Sequence, residues 1–388
     1  MQRIHISERS NLKESAHEHG FEYIAGKGVP GWNESAYYQF SLDQIEAEIE
    51  TPAQEIEEMC FEVVDRAIKD SSVLNRLGIP EYFWDYIADS WTNGEKNLLG
   101  RMDFSYGADG LVKLLEYNAD TPTTLYESAV FQWEWLEQVK EQGLVPDTSD
   151  QMNDIHESIV EAFSALRTEN VIHFACNQSI DDDKETLDYI KDCAQEAGIA
   201  GCSLGMEDIG LNDHTELTDV NDNVITTLVK LYPWEWIMDE SFGQYIPACG
   251  VKFIEPPWKA ILSNKGLLPL LWGMFEGHPN LLPAFFEDDP AAIDFINNGD
   301  YVGKPLLSRQ GANIEIIRDG KTLLHSEGPY ADNPRIIQGF HPLSKFEDKY
   351  SLIGCWLVAS KAVGLCIRED NTLITGSDAE VVPHIILN

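Results

Sequence analysis

The 388-residue chain is poor in positive charge. It has 27 Lys and Arg residues against 66 Asp and Glu, which gives a formal net charge of −39. A field of this sign repels nucleic acid and anionic membranes, so neither is expected as a partner. The chain also lacks an apolar run of about eighteen residues and an N-terminal signal-peptide core. We therefore expect a cytoplasmic protein, and nothing in the sequence indicates a protein partner.

Cysteine pairs with metal-binding spacing are absent as well. The seven cysteines are odd in number, and no two have C-x-x-C spacing (Cys60, Cys176, Cys193, Cys202, Cys249, Cys355 and Cys366). This arrangement predicts neither a disulfide framework nor a zinc site. Reduced, mostly buried thiols are expected instead.

The common catalytic and cofactor motifs are missing too. The sequence has no G-x-S-x-G, no P-loop, no H-E-x-x-H and no G-x-G-x-x-G. No covalent nucleophile is evident, and a dinucleotide site is not supported. The ten histidines are scattered, so we expect them to be structural or exposed.

The composition does support a large core. Hydrophobic residues make up 43% and aromatic residues 10%, which suits two or three packed units. We expect an α/β fold with α+β elements, divided into 1–168, 169–250 and 251–388. The first part combines helices with a hairpin, the second is a small open α/β unit, and the third is mainly antiparallel strands.

Helical spacing is clearest in five segments. It covers 41–70 with an interruption near Thr51–Pro52, then 79–91, 124–138, 181–198 and 258–275. In the first of these, one face is apolar (Ile56, Met59, Cys60, Val63 and Ala67). Strand patterns cover 98–106, 111–119, 170–175, 201–205, 223–232, 301–307, 312–320, 335–340, 352–360, 362–370 and 372–376.

The strands 98–106 and 111–119 flank the turn "GADG" and are predicted to pair as a hairpin. Residues i and i+2 of a strand point to the same face, so Arg101 joins Asp103, and Glu116 joins Asn118. The Asp, Glu and Asn oxygens suit Mg²⁺, and the arginine suits phosphate. A surface ion-pair cluster on the hairpin is the alternative.

Two lysines and a glycine add to this pattern. Lys265 lies in "ILSNKGLLPLLW" and Lys304 in "YVGKPLL". A lysine inside an apolar strand is costly unless it meets an anion. The following "SRQGAN" loop around Gly311 could fold over phosphates. A plain turn is the alternative, and a single glycine by itself favours it.

Gln338 and Arg368 each end an apolar strand. The Gln338 amide could read an adenine edge, and the Arg368 guanidinium suits a phosphoryl group. A plain strand end for Gln338, and a surface ion pair with Glu369 or Asp370 for Arg368, are the alternatives.

These segments together resemble the synthetase domain of the glutathionylspermidine synthase family, which has an ATP-grasp fold. The resemblance rests on "GRMDF", "LLEYNADTPT", "LYPWEW", "EPPWKAILSNKGLLPLLW", "VGKPLLSRQGANI", "IGCWLV" and "GLCIREDNTLIT", in the family's order from about residue 80 onward. It implies a permuted chain order, in which the E-x-N strand precedes the lysines. It further implies a stand-alone synthetase without the amidase domain.

The resemblance also implies a role for each site residue. Asp103, Glu116 and Asn118 match Mg²⁺ ligands, and Arg101 and Arg368 match catalytic arginines around the transferred phosphoryl group. The residues matching the ATP site are Arg101, Lys265, Lys304, Gly311, Gln338 and Leu373. Thr121 and Thr123 match the substrate loop, where the family has serines.

The implied activity is ATP- and Mg²⁺-dependent, ADP-forming ligation of a carboxylate to an amine through an acyl phosphate. An ATP-grasp kinase and a nucleotide-binding scaffold or sensor without turnover are the alternatives. The strong negative charge favours a cationic, polyamine-like acceptor over an anionic one. The same charge is also explained by solubility alone.

Overall fold

The computed structural model describes residues 1–22, 24–166, 168 and 170–387. Helices and sheets are mixed along this part of the chain. The α-helices are α1 (Leu12–Glu18), α2 (Leu42–Ile45), α3 (Thr51–Ala67), α4 (Ser71–Arg76), α5 (Trp84–Thr92), α6 (Gln132–Glu141), α7 (Ile155–Leu166), α8 (Asp181–Glu196), α9 (Trp234–Asp239), α10 (Lys259–Leu262), α11 (Leu267–Met274) and α12 (Pro290–Asn298).

The strands, in chain order, are β1 (Gln2–His5), β2 (Ala36–Phe40), β3 (Leu99–Tyr106), β4 (Val112–Asn118), β5 (Ile172–Cys176), β6 (Gly201–Gly205), β7 (Gly210–Leu211), β8 (Leu217–Thr218), β9 (Thr227–Leu231), β10 (Lys252–Ile254), β11 (Ala284–Phe286), β12 (Tyr301–Pro305), β13 (Glu315–Arg318), β14 (Lys321–His325), β15 (Arg335–Gly339), β16 (Ser344–Phe346), β17 (Lys349–Val358), β18 (Lys361–Asp370), β19 (Glu380–Val382) and β20 (His384–Ile386).

A six-stranded antiparallel sheet joins distant parts of the chain. Its order is β19-β18-β17-β3-β4, with β16 paired to β17. The predicted hairpin of β3 and β4 therefore forms at the edge of the sheet, and β17, which pairs with β3, comes from about 250 residues later in the chain. This long-range pairing builds one surface from the E-x-N strand and the C-terminal strands.

A second antiparallel sheet has the order β11-β15-β12-β13-β14. It meets the first sheet at β4, where the side chains of Lys304 and Gln338 donate hydrogen bonds to the carbonyls of Leu115 and Leu114, at 2.8 and 2.9 Å. The two sheets thus border a cleft.

The third large sheet is parallel, with the order β10-β9-β5-β6. Helix α8 connects β5 to β6 and carries Asp181, Asp182 and Asp183 in its first turn, where the helix dipole favours negative charge. This is the open α/β unit that the sequence predicts, although its last strand lies just beyond residue 250. The three-part division of the chain stays a prediction.

The apolar face predicted on the first long helix is confirmed, because its five residues are all buried on α3. The predicted interruption near Thr51–Pro52 is wrong. A π-helical turn at Glu46–Glu50 leads directly into α3, and Pro52 lies in the first turn of α3. A π-turn changes the local hydrogen-bond pattern, which accommodates the missing proline N–H without ending the helix.

The predicted free thiols are also found, since all seven cysteines are unpaired and only Cys202 is not fully buried. Across the described residues, no helix combines the length and apolar character that crossing a bilayer requires.

Candidate active site

The β3–β4 hairpin brings four predicted site residues together. Arg101 lies opposite Asn118, and Asp103 lies opposite Glu116. Directly opposed residues of antiparallel strands point to the same face, so the four side chains converge. The i, i+2 spacing in the sequence predicts this arrangement once the two strands pair.

Arg101 and Asp103 form a buried, two-pronged ion pair. Arg101 Nε lies 2.7 Å from Asp103 Oδ1, and Nη2 lies 3.0 Å from Oδ2. Burial disfavours the charged guanidinium, but Asp103 outweighs burial and raises the pKa of Arg101. The remaining nitrogen, Nη1, donates to the Thr123 carbonyl at 2.6 Å and so fixes the turn after β4.

Asp103, Glu116 and Asn118 meet at one point. The Asn118 amide donates to Asp103 Oδ2 at 3.1 Å and to Glu116 Oε1 at 3.3 Å. The two ends of an amide have the same shape, so Asn118 can present either its nitrogen or its oxygen here. Two carboxylates and an amide oxygen are hard ligands that fit Mg²⁺.

Two lysines approach Glu116 from different elements. Lys265 Nζ lies 3.1 Å from Glu116 Oε2 and donates to the Ser308 carbonyl at 2.6 Å. Lys304 is buried on β12. The burial of Glu116 by itself would raise the pKa of this carboxyl group. The positive charges of Lys265 and Lys304 outweigh that effect and lower the pKa. The carboxylate is therefore ionised at neutral pH.

Gln338 holds Lys304 in place. Its Oε1 accepts from Lys304 Nζ at 2.8 Å, while its Nε2 donates to the neighbouring strand β4. Burial, together with the charge of Lys265, lowers the pKa of Lys304 to about 8, although Glu116 opposes this shift. The adenine contact expected of Gln338 stays a prediction.

Arg368 is a fourth cationic side chain in this region, beside Arg101, Lys265 and Lys304. It lies opposite Leu352 in the β17–β18 register, on the face that carries Asp103. Its Nη2 donates to the Gly376 carbonyl at 3.0 Å, while its Nε is buried and has no hydrogen-bond partner among the described residues. Burial and the nearby charge of Arg101 lower the pKa of Arg368.

The loop between β12 and β13 closes against another loop. Gly311 has a φ of +70°, and a Cβ there would lie 2.7 Å from the Thr375 carbonyl oxygen and 2.9 Å from Ile374 Cγ2. Only glycine fits this approach without rearrangement. The opposing segment also contains Leu373, and both predicted residues line the cleft.

Two sequence predictions in this region are wrong. Lys265 does not lie in a continuous helix over 258–275, because the chain turns between α10 and α11 and places the lysine in that turn. Residues 372–376 do not form a strand. Asp370 accepts hydrogen bonds from the backbone N–H groups of Thr372 and Gly376, at 3.0 and 2.9 Å, and folds the segment into a turn.

All predicted site residues line one cleft of about 860 Å³. They are Arg101, Asp103, Glu116, Asn118, Thr121, Thr123, Lys265, Lys304, Gly311, Gln338, Arg368 and Leu373. The alternative of an exposed ion-pair cluster is excluded for Arg101 and Asp103, which are only 3% and 1% exposed.

Arg309 was missed by the sequence analysis, although it stands in the quoted "SRQGAN" loop. Its Nη2 donates to Thr121 Oγ1, its Nη1 lies 3.5 Å from Glu235 Oε1, and its guanidinium packs over Trp236 at 5.7 Å. The loop thereby contacts both the predicted substrate turn and helix α9.

A buried ion pair behind Thr121 was also missed. Lys230 Nζ on β9 lies 2.5 Å from Asp120 Oδ1, and the Trp234 N–H donates to Asp120 Oδ2 at 2.8 Å. Burial lowers the pKa of Lys230, and Asp120 partly offsets this effect. The pair fixes the predicted substrate turn to the parallel sheet, and no local sequence pattern links residues 110 positions apart.

One wall of the cleft is acidic. We call it the acidic wall, and it consists of Glu127, Asp182, Asp183, Glu185 and Glu235. Burial, reinforced by Asp182 and Glu185, raises the pKa of Glu127 to about 7. Burial also raises the pKa of Asp183 to about 6, although Arg309 opposes it. A cation placed here would favour the ionised carboxylates.

Comparison with known proteins identifies the family. The family described as "Glutathionylspermidine synthase preATP-grasp" matches residues 3–387. The chain belongs to this family. A protein of Haemophilus influenzae named "Putative acid–amine ligase" is 37% identical over 382 residues, which cover 94% of each chain.

Two further relatives of the glutathionylspermidine synthase family are longer than this chain. Trypanothione synthetase of Crithidia fasciculata is 28% identical over 82% of this chain and 52% of its own length. The bifunctional glutathionylspermidine synthetase/amidase of Escherichia coli is 24% identical over 92% of this chain and 60% of its own length. The matches thus cover only about half to three fifths of these two enzymes.

A solved structure supports the fold. A glutathione synthetase-like effector of Globodera pallida aligns with a TM-score of 0.60 at 12% identity, covering 97% of this chain and 96% of its own. The predicted family, ATP-grasp fold and acid–amine ligase class are therefore confirmed. The roles of the individual residues stay predictions.

Proposed function

We propose that this chain uses ATP and Mg²⁺ to join a carboxylate to a cationic amine, releasing ADP and phosphate. The observation that carries the proposal is the convergence of four cationic side chains on a carboxylate–amide cluster within one cleft. The cations are Arg101, Lys265, Lys304 and Arg368, and they belong to four separate segments of the chain.

The cationic side chains have hydrogen-bond donors that are available to phosphate. A lysine ammonium has three donors, and Lys265 and Lys304 each have two polar partners. The buried Nε of Arg368 has no partner within the described part of the chain. Phosphate oxygens would supply acceptors to these donors, and charge-assisted contacts of this kind are strong.

We call Asp103, Glu116 and Asn118 the oxygen cluster, and it fits the metal ion that accompanies nucleotide phosphates. Asp103, Glu116 and Asn118 would hold Mg²⁺, which would offset the negative charge of the phosphates. Without nucleotide, Arg101 and Lys265 neutralise the two carboxylates. We infer that these cations are shared between carboxylates and phosphates once nucleotide is bound.

The reaction needs no protein nucleophile. A substrate carboxylate attacks the γ-phosphorus of ATP, the bond to ADP breaks, and an acyl phosphate forms. The amine then attacks the acyl carbon, phosphate leaves, and one proton is lost. In this scheme Arg101 and Arg368 hold the transferred phosphoryl group, and the turn with Thr121 and Thr123 positions the carboxylate substrate.

The acidic wall supports a cationic acceptor. An amine bearing several positive charges would be attracted to its carboxylates, as the net charge of −39 also favours. Glutathione and spermidine are the first pair to test, since the names of two relatives refer to their conjugate. The chain has threonines in the substrate turn, so a related peptide and amine belong in the same panel.

Isotope transfer tests this proposal directly. Acids labelled with ¹⁸O in the carboxylate are incubated with amines and Mg-ATP, and ADP, phosphate and new amide masses are followed. An acyl phosphate pathway transfers one ¹⁸O atom to the released phosphate. A phosphorylated acid or amine as the stable product would instead indicate a kinase, and ATP binding without ADP release across the panel would indicate a scaffold.

Substitutions at the oxygen cluster test the metal assignment. Asp103→Ala and Glu116→Ala should weaken Mg-dependent ATP binding in calorimetry, because phosphate charge loses its metal. Glu58→Ala removes a carboxylate from the exposed face of α3 and should leave binding unchanged. If both cluster variants bind Mg-ATP as the wild type does, the metal assignment is wrong.

A further inference from the structure

A second group of potential metal ligands lies at one edge of the parallel sheet, between this sheet and the segment after β8. It consists of His173, Cys202 and Asp219, whose ligand atoms all lie within 4.8 Å of one another. None of the three lines the ATP cleft. The group is therefore separate from the oxygen cluster described above.

The fold holds these three side chains on different elements. His173 on β5 is the direct neighbour of Cys202 on β6 in the parallel register. Asp219 follows β8, and its carboxylate accepts hydrogen bonds from the N–H groups of Asn221 and Asn223 and from the Asn223 side chain, at 2.8 to 3.0 Å. These bonds fix the carboxylate beside the sheet before any ligand arrives.

The geometry does not fit a hydrogen-bonded His–Asp pair. His173 Nε2 and Asp219 Oδ2 are 3.7 Å apart, beyond hydrogen-bond length. His173 is only 5% exposed, so its imidazole is buried beside this carboxylate, and the two face each other without a hydrogen bond. In a tetrahedral site with metal–ligand bonds of about 2.0–2.3 Å, neighbouring ligand atoms are roughly 3.4–3.6 Å apart.

We propose that His173, Cys202 and Asp219 bind one divalent transition-metal ion, with Zn²⁺ the best match. A nitrogen, a sulfur and an oxygen donor suit Zn²⁺, whereas Mg²⁺ prefers oxygen alone. Binding replaces the thiol proton of Cys202 with a metal–sulfur bond and releases that proton to water. The fourth coordination position is open to water. The bound ion would tie the edge strand β6 to the loop after β8.

Titration of the full chain with Co²⁺ and Zn²⁺ tests this site. Chelator-treated protein is kept in excess Mg²⁺, so that the oxygen cluster is occupied by a hard ion. We expect one equivalent of Zn²⁺ to bind, and Co²⁺ to give a thiolate charge-transfer band. Cys202→Ser should lose the band. His173→Ala and Asp219→Asn should weaken Zn²⁺ binding about tenfold or more, because even residues that only orient ligands have effects of that size.

Matched variants separate this site from other ligands. Cys249→Ser changes a buried cysteine outside the group, and His17→Gln changes an exposed histidine; both should retain the full equivalent. Alkylation provides a test without substitution, because Cys202 is the cysteine with solvent access and Zn²⁺ should protect it. The proposal is overturned if wild-type protein binds no Zn²⁺ in Mg²⁺, or if Cys202→Ser keeps the cobalt band.

Discussion

Lys304 connects strand β12 to the phosphate chemistry proposed for the cleft. Its ammonium is buried between the Leu115 carbonyl and Gln338, and it faces Glu116 across the two sheets. A charge in this position is unfavourable unless an anion compensates it. Mg-ATP would supply additional negative charge, so binding should depend strongly on this one side chain.

We expect Lys304→Met to lower the affinity for Mg-ATP by about tenfold or more, because a charge-assisted contact contributes on the order of 1.5–3 kcal/mol. Methionine keeps an apolar stem of similar length, so the strand should stay packed. Calorimetry measures the affinity, and thermal unfolding checks the fold. The control is Lys69→Met on the surface, which removes an equal charge from a residue that does not line the cleft. A folded Lys304→Met variant with normal affinity would make Lys304 structural.

The pKa of Lys304 predicts a pH dependence. Burial lowers it to about 8, so Lys304 is mostly charged at pH 7 and mostly neutral at pH 9. Bound phosphate favours the charged form and raises this pKa, so binding above pH 8 requires uptake of a proton. The Kd for Mg-ATP should therefore rise with pH above about 8, approaching tenfold per unit.

Calorimetry at pH 8.5 in buffers of different ionisation enthalpy detects this proton directly. The observed enthalpy should vary with the buffer for wild-type protein and much less for Lys304→Met. Equal buffer dependence in the two proteins would assign the proton to another group.

At the scale of single residues, the sequence predicted the contacts that follow from the alternation of side chains along a strand. The i, i+2 spacing predicts directly that four side chains lie on one face of the hairpin: Arg101, Asp103, Glu116 and Asn118. The contacts of Arg309 and of the Asp120–Lys230 pair were not predicted, since they join separate elements. The proposed metal group was missed for the same reason: its ligands are 29 and 17 residues apart and have no motif spacing.

Among the elements, strand β17 matters because it leaves room for the Arg101 side chain. Gly354 lies opposite Asp103, and a Cβ at this position would be 2.9 Å from Arg101 Cδ and 3.2 Å from its Nε. Arg101 is buried and held at both ends by Asp103 and Thr123, so it cannot move aside easily. The glycine in "IGCWLV" therefore keeps the ion pair in register.

Gly354→Ala should displace Arg101 and lower the rate of ADP formation about tenfold or more, with a loss of stability of about 1–3 kcal/mol from overpacking. Gly201→Ala on β6 is the matched control. Its Cβ would lie 2.9 Å from Lys191 Cγ and 3.0 Å from Phe174 Cε2, and none of these three residues lines the cleft, so the variant should reduce stability but not the rate per folded molecule. Equal rate losses in both variants would show that general sheet distortion is the cause.

The elements themselves were predictable where periodicity was strong, as in α3 and the β3–β4 hairpin. The turn that carries Lys265 was not, because apolar residues continue on both sides of Asn264–Gly266 and imitate one helix. Residues 372–376 look like a strand by composition, but the Asp370 side chain binds their backbone instead. A competing side-chain hydrogen bond of this kind does not change hydrophobic periodicity.

For the whole molecule, the cleft depends on strands that are far apart in the sequence. The β3–β4 hairpin, which carries Glu116, comes early in the chain, and the six-stranded sheet joins it to the late strands β17 and β18. The sequence alone does not predict such pairing, because local patterns do not record which distant strands meet. The family resemblance supplied that information, and the comparisons confirm the resulting fold.

The overall charge and the acidic wall predict how the acceptor binds. Carboxylates attract a polycation over a distance that falls from about 10 Å at 0.1 M salt to about 3 Å at 1 M. The KM for a polyamine acceptor should therefore rise several-fold between low and high salt, whereas that of a neutral amine should change little. It should also rise as pH falls below 7, because Glu127 and Asp183 take up protons near pH 7 and 6.

The double variant Glu127→Gln, Asp183→Asn distinguishes the effect of the acidic wall on acceptor binding from the effect of the net charge. It should raise the KM for the polyamine about tenfold and flatten both the salt and the pH dependence, while Mg-ATP binding changes little. The control Glu58→Gln, Asp43→Asn removes the same charge from exposed positions elsewhere. If both double variants behave alike, the net charge and not the wall attracts the acceptor. If polyamines are ignored while a neutral amine turns over, the acceptor is not a polycation, and the ligase chemistry of the cleft still stands.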